Sequence, residues 1–215
     1  MSKLYALLIG INKYHPQSRV GSLAGCVNDM QSVKKFIKKQ YADLNPDCEE
    51  LINDQATRAN IINAFRDHLI KKAKKGDTVL FFYAGHGSYT RSASPFLEFD
   101  SKGQDETLVC YDSRCPGNYD LTDKEIAVLL HEITDGVHTV VISDSCHSAS
   151  LTRSQRPEVT ETTGPKARHT PGTKKDRALE TYLLKTDNFY TQQTKFQIPC
   201  SKHILMSGCN RDELA

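Results

Sequence analysis

No apolar run in the 215 residues approaches the roughly 18 needed to cross a bilayer. The first ten residues carry one lysine and a short apolar stretch. Asn12, Lys13, Tyr14 and His15 then stand where a signal-peptide cleavage site should be. The opening therefore reads as a first buried strand rather than a leader. An excess of one charge is also missing: a net charge of +2 gives no reason to expect nucleic acid or a membrane surface as partner. The seven cysteines, at 26, 48, 110, 115, 146, 200 and 209, are odd in number and lack repeated CxxC spacing. Neither a disulfide framework nor a zinc site follows from them, and a reducing, cytoplasmic setting is expected. The histidines at 15, 68, 131, 138, 169 and 203 likewise show no metal spacing. What is present, 38% hydrophobic and 25% charged residues, is enough for one domain with a sizeable core.

Two stretches share one form. His138-Thr-Val-Val-Ile-Ser-Asp-Ser-Cys-His-Ser148 begins with β-branched and apolar residues and breaks into small polar ones, with Cys146 just past the apolar run. Thr78-Val-Leu-Phe-Phe-Tyr-Ala-Gly-His-Gly-Ser88 does the same and exposes His86. Apolar runs without polar alternation suit strands buried on both faces of a parallel sheet. In an open α/β sheet, ligands bind at the carboxyl ends of such strands. Neighbouring strands of this kind would bring an imidazole beside a thiol, the minimum equipment for a cysteine nucleophile.

The rest of the chain supplies the alternation such a sheet needs. Residues 4–11 read as strand. A helix is expected from about Val27 to Tyr41, with apolar positions Val27, Met30, Val33, Ile37 and Tyr41 recurring at three and four. Glu50 to Asn53 reads as a short strand. Thr57 is the expected N-cap of a helix turning Ile61, Ile62, Phe65 and Leu69 to the core. Residues 88–106 are polar without helical period, Thr107 to Tyr111 suit a strand, and Thr122 caps a helix running to about Ile133. Residues 151–178 are rich in Pro, Ser, Thr and basic residues and poor in bulky apolar ones, which predicts a flexible loop. Leu179 to Tyr190 is amphipathic, and Lys202 to Ser207 reads as one more buried strand. The expected fold is α/β, a mainly parallel sheet flanked by helices on both faces.

Tyr83-Ala-Gly-His-Gly-Ser88 and Ser143-Asp-Ser-Cys-His-Ser148 resemble the two catalytic motifs of caspase-like cysteine proteases (clan CD, peptidase C14), in the metacaspase and bacterial caspase-like branch. Ala6 to Asn12, Leu23 to Asp29 and Ile204 to Asn210 are similar to further segments of that branch. The resemblance implies a caspase-like sandwich. Residues 1–150 form its large-subunit region, 151–178 a basic linker and processing loop, and 179–215 the start of its small-subunit region. The remainder is expected further along the chain or as a partner chain. The resemblance also implies a dyad, with Cys146 attacking the scissile carbonyl and His86 protonating the leaving amine. The backbone N–H groups of Gly87 and Cys146 would hold the oxyanion.

Asp29 and Asp144 match positions that line the S1 pocket in metacaspases, and Cys26 matches a neighbouring wall residue. Two carboxylates there favour Arg or Lys at P1 and disfavour Asp. The alternative is that Asp29 caps a helix and Asp144 orders its loop. An enzyme of this specificity carries its own candidate processing sites in Arg153, Arg156, Lys166, Arg168, Lys174, Lys175 and Arg177. Ala84 stands where the metacaspase motif commonly has serine. Many relatives need calcium, held by clustered Asp side chains. Asp100, Asp105, Glu106, Asp112, Asp120 and Asp123 are plentiful in the corresponding region but lack EF-hand spacing. No cofactor is required by this reading, and calcium near Asp105 and Asp123 is left open. The implied function is a zymogen endopeptidase acting on protein or peptide substrates in stress, defence or cell death, with no nucleic-acid or membrane partner. A catalytically silent caspase-like scaffold and a CHAT- or separase-like protease are the alternatives.

Overall fold

The computed structural model describes residues 2–97, 103–145, 168, 170–183, 198–199 and 201–207. The apolar runs become a five-stranded, wholly parallel sheet: β1 (Leu4–Gly10), β2 (Asp47–Ile52), β3 (Thr78–Ala84), β7 (His138–Asp144) and β9 (Ile204–Ser207), in the order β2-β1-β3-β7-β9. Side chains alternate across a strand, so the sheet divides its apolar residues between two cores. Leu7, Ile9, Val79, Phe81, Tyr83 and Val141 face one layer with Ile61, Phe65, Leu69, Ile126 and Leu129. Ala6, Leu8, Leu80 and Phe82 face the other with Cys26, Met30 and Ile37. Full burial of a side chain such as Ile61 or Leu69 contributes about 1.5–3 kcal/mol.

The helices follow their sequence signals. α1 (Cys26–Gln40) starts at Gly25, whose φ of 107° is a conformation that few residues other than glycine adopt. It lies so close to β1 that a Cβ on Gly10 would sit 3.0 Å from the Cys26 carbonyl oxygen. α2 (Arg58–Ala64) is capped by Thr57, whose hydroxyl accepts the Asn60 N–H, and continues as a π-helical stretch over Phe65–Ile70. α3 (Asp123–His131) has the full capping box of Thr122 and Glu125.

Three expectations change. The polar residues 88–106 contribute to a second sheet. It is built from β4 (Gly87–Arg91), β5 (Gln104–Leu108), β6 (Leu121–Thr122) and β8 (Thr173–Asp176), in the order β6-β5-β4-β8. Ser88, Thr90, Asp105 and Thr107 are buried there despite their polarity, because partners on neighbouring elements satisfy them; Thr107 donates to Asp120 and Ser88 to the Thr170 carbonyl. Part of the expected loop 151–178 is β8, and Arg177, just beyond it, is buried. Lys202 to Ser207 does supply a strand, but Ile204 and Met206 are 62% and 56% exposed on its outer face.

Candidate active site

The register of β1, β3 and β7 sets Gly10, Ala84 and Asp144 side by side at the sheet's carboxyl edge. Two residues beyond Ala84 comes His86, and two beyond Asp144 the sequence reaches Cys146. Cys146, like Arg153, Arg156 and Lys166, lies outside the described residues.

His86 is buried and held from several sides. Its backbone N–H donates to the Tyr14 hydroxyl at 2.7 Å. Its carbonyl accepts from the Tyr83 hydroxyl at 2.8 Å and from the Val109 N–H at 3.0 Å. The Tyr14 ring packs 5.2 Å from the imidazole. Burial pushes both phenols well above their usual pKa, so they stay neutral hydrogen-bonding groups. His86 Nε2 lies 2.9 Å from the Gly21 carbonyl oxygen. A carbonyl can only accept, so Nε2 carries the proton, and Nδ1 is the nitrogen that can exchange one. Sequence reasoning missed this third partner because it is a backbone atom in a turn.

Asp29, Asp144 and Cys26 converge, and the group they converge on is Arg168. Its Nη2 donates to Asp29 Oδ2 at 2.5 Å, and its Nη1 forms an ion pair with Asp144 Oδ2 and donates to the Asp144 carbonyl at 3.2 Å. Burial alone would make the guanidinium less basic; Cys26, Asp144 and Asp29 together hold it more firmly protonated. The main chain of Arg168 is engaged as well. Its carbonyl accepts the Gly87 N–H at 2.9 Å, and the Thr170 N–H returns to the Gly87 carbonyl at 3.3 Å. Asp29 does sit in the first turn of α1, but its carboxylate is spent on Arg168 rather than on a helix cap.

Of the other basic candidates, Lys174 and Lys175 lie in β8, and the Arg177 guanidinium bonds buried Glu125, which also pairs with Arg58. Burial would raise the Glu125 carboxyl, but Arg177 and Arg58 outweigh it and hold it below the usual range. Among the described residues, Cys115 Sγ lies 3.3 Å from His15 Nδ1. Burial and then Asp112 push that thiol up, away from thiolate. Cys26 is pushed up to about 11 by burial. A groove of about 1050 Å3 lies at the opposite end of β7 among residues such as His131, His138 and His203, remote from this edge.

Asp105 and Asp123, the pair left open for calcium, do not fit that ion, and Asp100 lies outside the described residues. Asp105 and Asp123 both face the ammonium of Lys124, Asp112 accepts the Arg58 N–H, and Asp120 binds Arg114. Among the described residues no three His, Cys, Asp or Glu side chains converge as metal ligands would.

A parallel α/β sheet with a histidine at its carboxyl edge, beside paired carboxylates that grip an arginine, defines a caspase-like architecture. Comparison with known proteins agrees: residues 5–154 match the metacaspase, peptidase C14 domain, and the chain belongs to that family. It is 34% identical over 155 residues to metacaspase-1A of Aspergillus niger, covering 69% of this chain and 36% of the relative. With metacaspase-1 of Ajellomyces capsulatus the identity is 33%, over 69% of this chain and 41% of the relative. The match thus spans well under half of these relatives' length. A crystal structure of protein GSU0716 from Geobacter sulfurreducens superposes with a TM-score of 0.65 at 25% identity, covering 99% of this chain and 75% of that one. No helix is long and apolar enough to cross a membrane among the described residues.

Proposed function

We propose that the protein is a cysteine endopeptidase that cleaves after Arg or Lys, with Cys146 and His86 as its dyad. The Arg168 contacts carry this reading: a guanidinium lies between the Asp29 and Asp144 carboxylates while the adjoining carbonyl takes the Gly87 N–H. That is how a P1 arginine would bind, side chain in an acidic pocket and carbonyl oxygen at an oxyanion donor.

The chemistry follows from these placements. The Cys146 thiolate attacks the carbonyl carbon, and the carbonyl electron pair moves to the oxygen facing Gly87. Imidazolium His86, kept in orientation by the Gly21 carbonyl, gives its Nδ1 proton to the leaving amine as the C–N bond breaks. Water then attacks the acyl-enzyme, losing a proton to His86, and releases the new carboxylate and the thiol. Lysine at P1 would use the same carboxylates through one ammonium, less well matched than the planar guanidinium fork. Asp at P1 would meet two like charges.

Arg168 presents both side chain and carbonyl to this site. The Arg168–His169 bond is therefore the processing bond of choice, and until it is cut or lifted away the chain's own arginine fills the pocket, as a zymogen requires. Peptides ending in Arg, Lys or Asp before a fluorogenic leaving group test the reading, with Cys146→Ala as control and wild type pre-incubated to allow processing. Cleavage after Arg and Lys that vanishes in Cys146→Ala is expected. Cleavage after Asp would overturn the pocket assignment, and silence of a fully processed chain would favour a scaffold.

A further inference from the structure

Calcium is the cation the family brings in, yet the carboxylates expected to hold it already hold a cation of this chain. Lys124, second residue of α3, is 1% exposed. Its Nζ pairs with Asp105 Oδ1 on β5, lies 3.6 Å from Asp123 Oδ1, and sits 5.4 Å from the centre of the Phe96 ring. Asp105 is fully used: Oδ1 also accepts from the Ser92 hydroxyl, and Oδ2 accepts from the Tyr182 hydroxyl at 2.6 Å. Tyr182 is itself buried, packed at a 60° tilt against Phe96 and covered by the Arg177 guanidinium 4.0 Å from its ring centre. One ammonium–carboxylate pair thus gathers β5, α3, the connection after β4 and the segment that follows β8.

Two facts of ion chemistry make this exclusive. A buried ammonium and a buried carboxylate are each costly alone and tolerable together, so the pair is held in place by the penalty for separating it. Calcium needs six to eight oxygen ligands at about 2.3–2.6 Å, whereas here a nitrogen cation occupies the space between the carboxylates and repels a second positive charge. We propose that Lys124 is a fixed internal cation in the place where calcium would act, and that it docks residues 179–183 onto the second sheet without metal. The inference is independent of the peptidase reading.

The test uses the full chain carrying Cys146→Ala, so that self-cleavage does not intervene, with thermal unfolding and amide exchange in EDTA and in calcium, and terbium luminescence. The unmodified cluster should show the same unfolding temperature in both solutions and no sensitised terbium emission. Lys124→Met should unfold at lower temperature and exchange faster over residues 179–183, with no recovery on adding calcium. Lys124→Asp, which swaps the ammonium for a carboxylate, should gain terbium emission and a calcium-induced rise in unfolding temperature. If Lys124→Met does not fold, the double variant Lys124→Met/Asp105→Asn should recover folding, because removing both partners leaves no orphaned charge. Stabilisation of the unmodified cluster by calcium, lost in Asp105→Asn, would overturn the proposal. So would unchanged exchange in Lys124→Met, a double variant no better than the single, or a folded Lys124→Asp indifferent to terbium.

Discussion

At His86 the useful nitrogen is selected by a backbone oxygen. The Gly21 carbonyl accepts a hydrogen bond from Nε2 at 2.9 Å, so the tautomer is set without an acidic side chain. The same scale separates inert thiols from a candidate nucleophile. Burial pushes the pKa of Cys26 and Cys110 up, and a thiol that is not ionised alkylates slowly. Iodoacetamide at pH 8 should leave both unmodified in the folded chain and label them only after unfolding, read by mass spectrometry. Labelling of either before unfolding would contradict their burial. The sequence made His86 visible because apolar Val79 to Ala84 lead straight to it. Gly21 stayed hidden because what matters there is a main-chain atom that any residue carries.

Among the elements, the buried Glu125–Arg177–Arg58 cluster ties α3 and α2 to the segment after β8. Breaking a buried pair by removing one partner costs about 3–5 kcal/mol. Urea unfolding of Arg177→Met or Glu125→Gln should show a loss of that order. Glu125 also sets a pH dependence: its folded carboxyl is held below the ordinary value, so its contribution is complete above the unfolded pKa of about 4.3 and fades as pH falls through the lower, folded value. Acid unfolding should therefore be less steep below about pH 4.3 in Glu125→Gln than in wild type; an identical slope would contradict the assignment. These elements were the hardest to foresee. Residues 88–106 carry buried Ser, Thr, Asp and Glu, and polarity reads as exposure until the partners that satisfy it are known. Arg168 and Arg177 look alike in a basic stretch; only the fold sends one to Asp29 and the other to Glu125.

For the whole molecule, the parallel sheet was legible because its strands are apolar runs punctuated by small residues, and the helices because their caps and 3.6-residue spacing stand in the sequence. The edge was less so: the apolar character of Ile204 to Met206 signalled a strand but not which of its faces would be covered. Leu205 packs against the core while Ile204 and Met206 do not. Met206→Lys should change stability by no more than about 0.5 kcal/mol, whereas Leu205→Ala should cost more than about 1 kcal/mol in the same chemical unfolding assay.

The central claim is that Asp29 and Asp144 select a cationic P1 side chain. It is tested most directly by comparing kcat/KM for a peptide ending in Arg with that for the same peptide ending in citrulline, which keeps the shape and removes the charge. Hydrogen bonds to charged groups contribute about 1.5–3 kcal/mol each, so processed wild type should prefer Arg by roughly a hundredfold or more. The Asp29→Asn/Asp144→Asn double variant should lose most of that preference by slowing on Arg alone. Equal rates on the two peptides in wild type, or a preference that survives the double substitution, would contradict the acidic pocket.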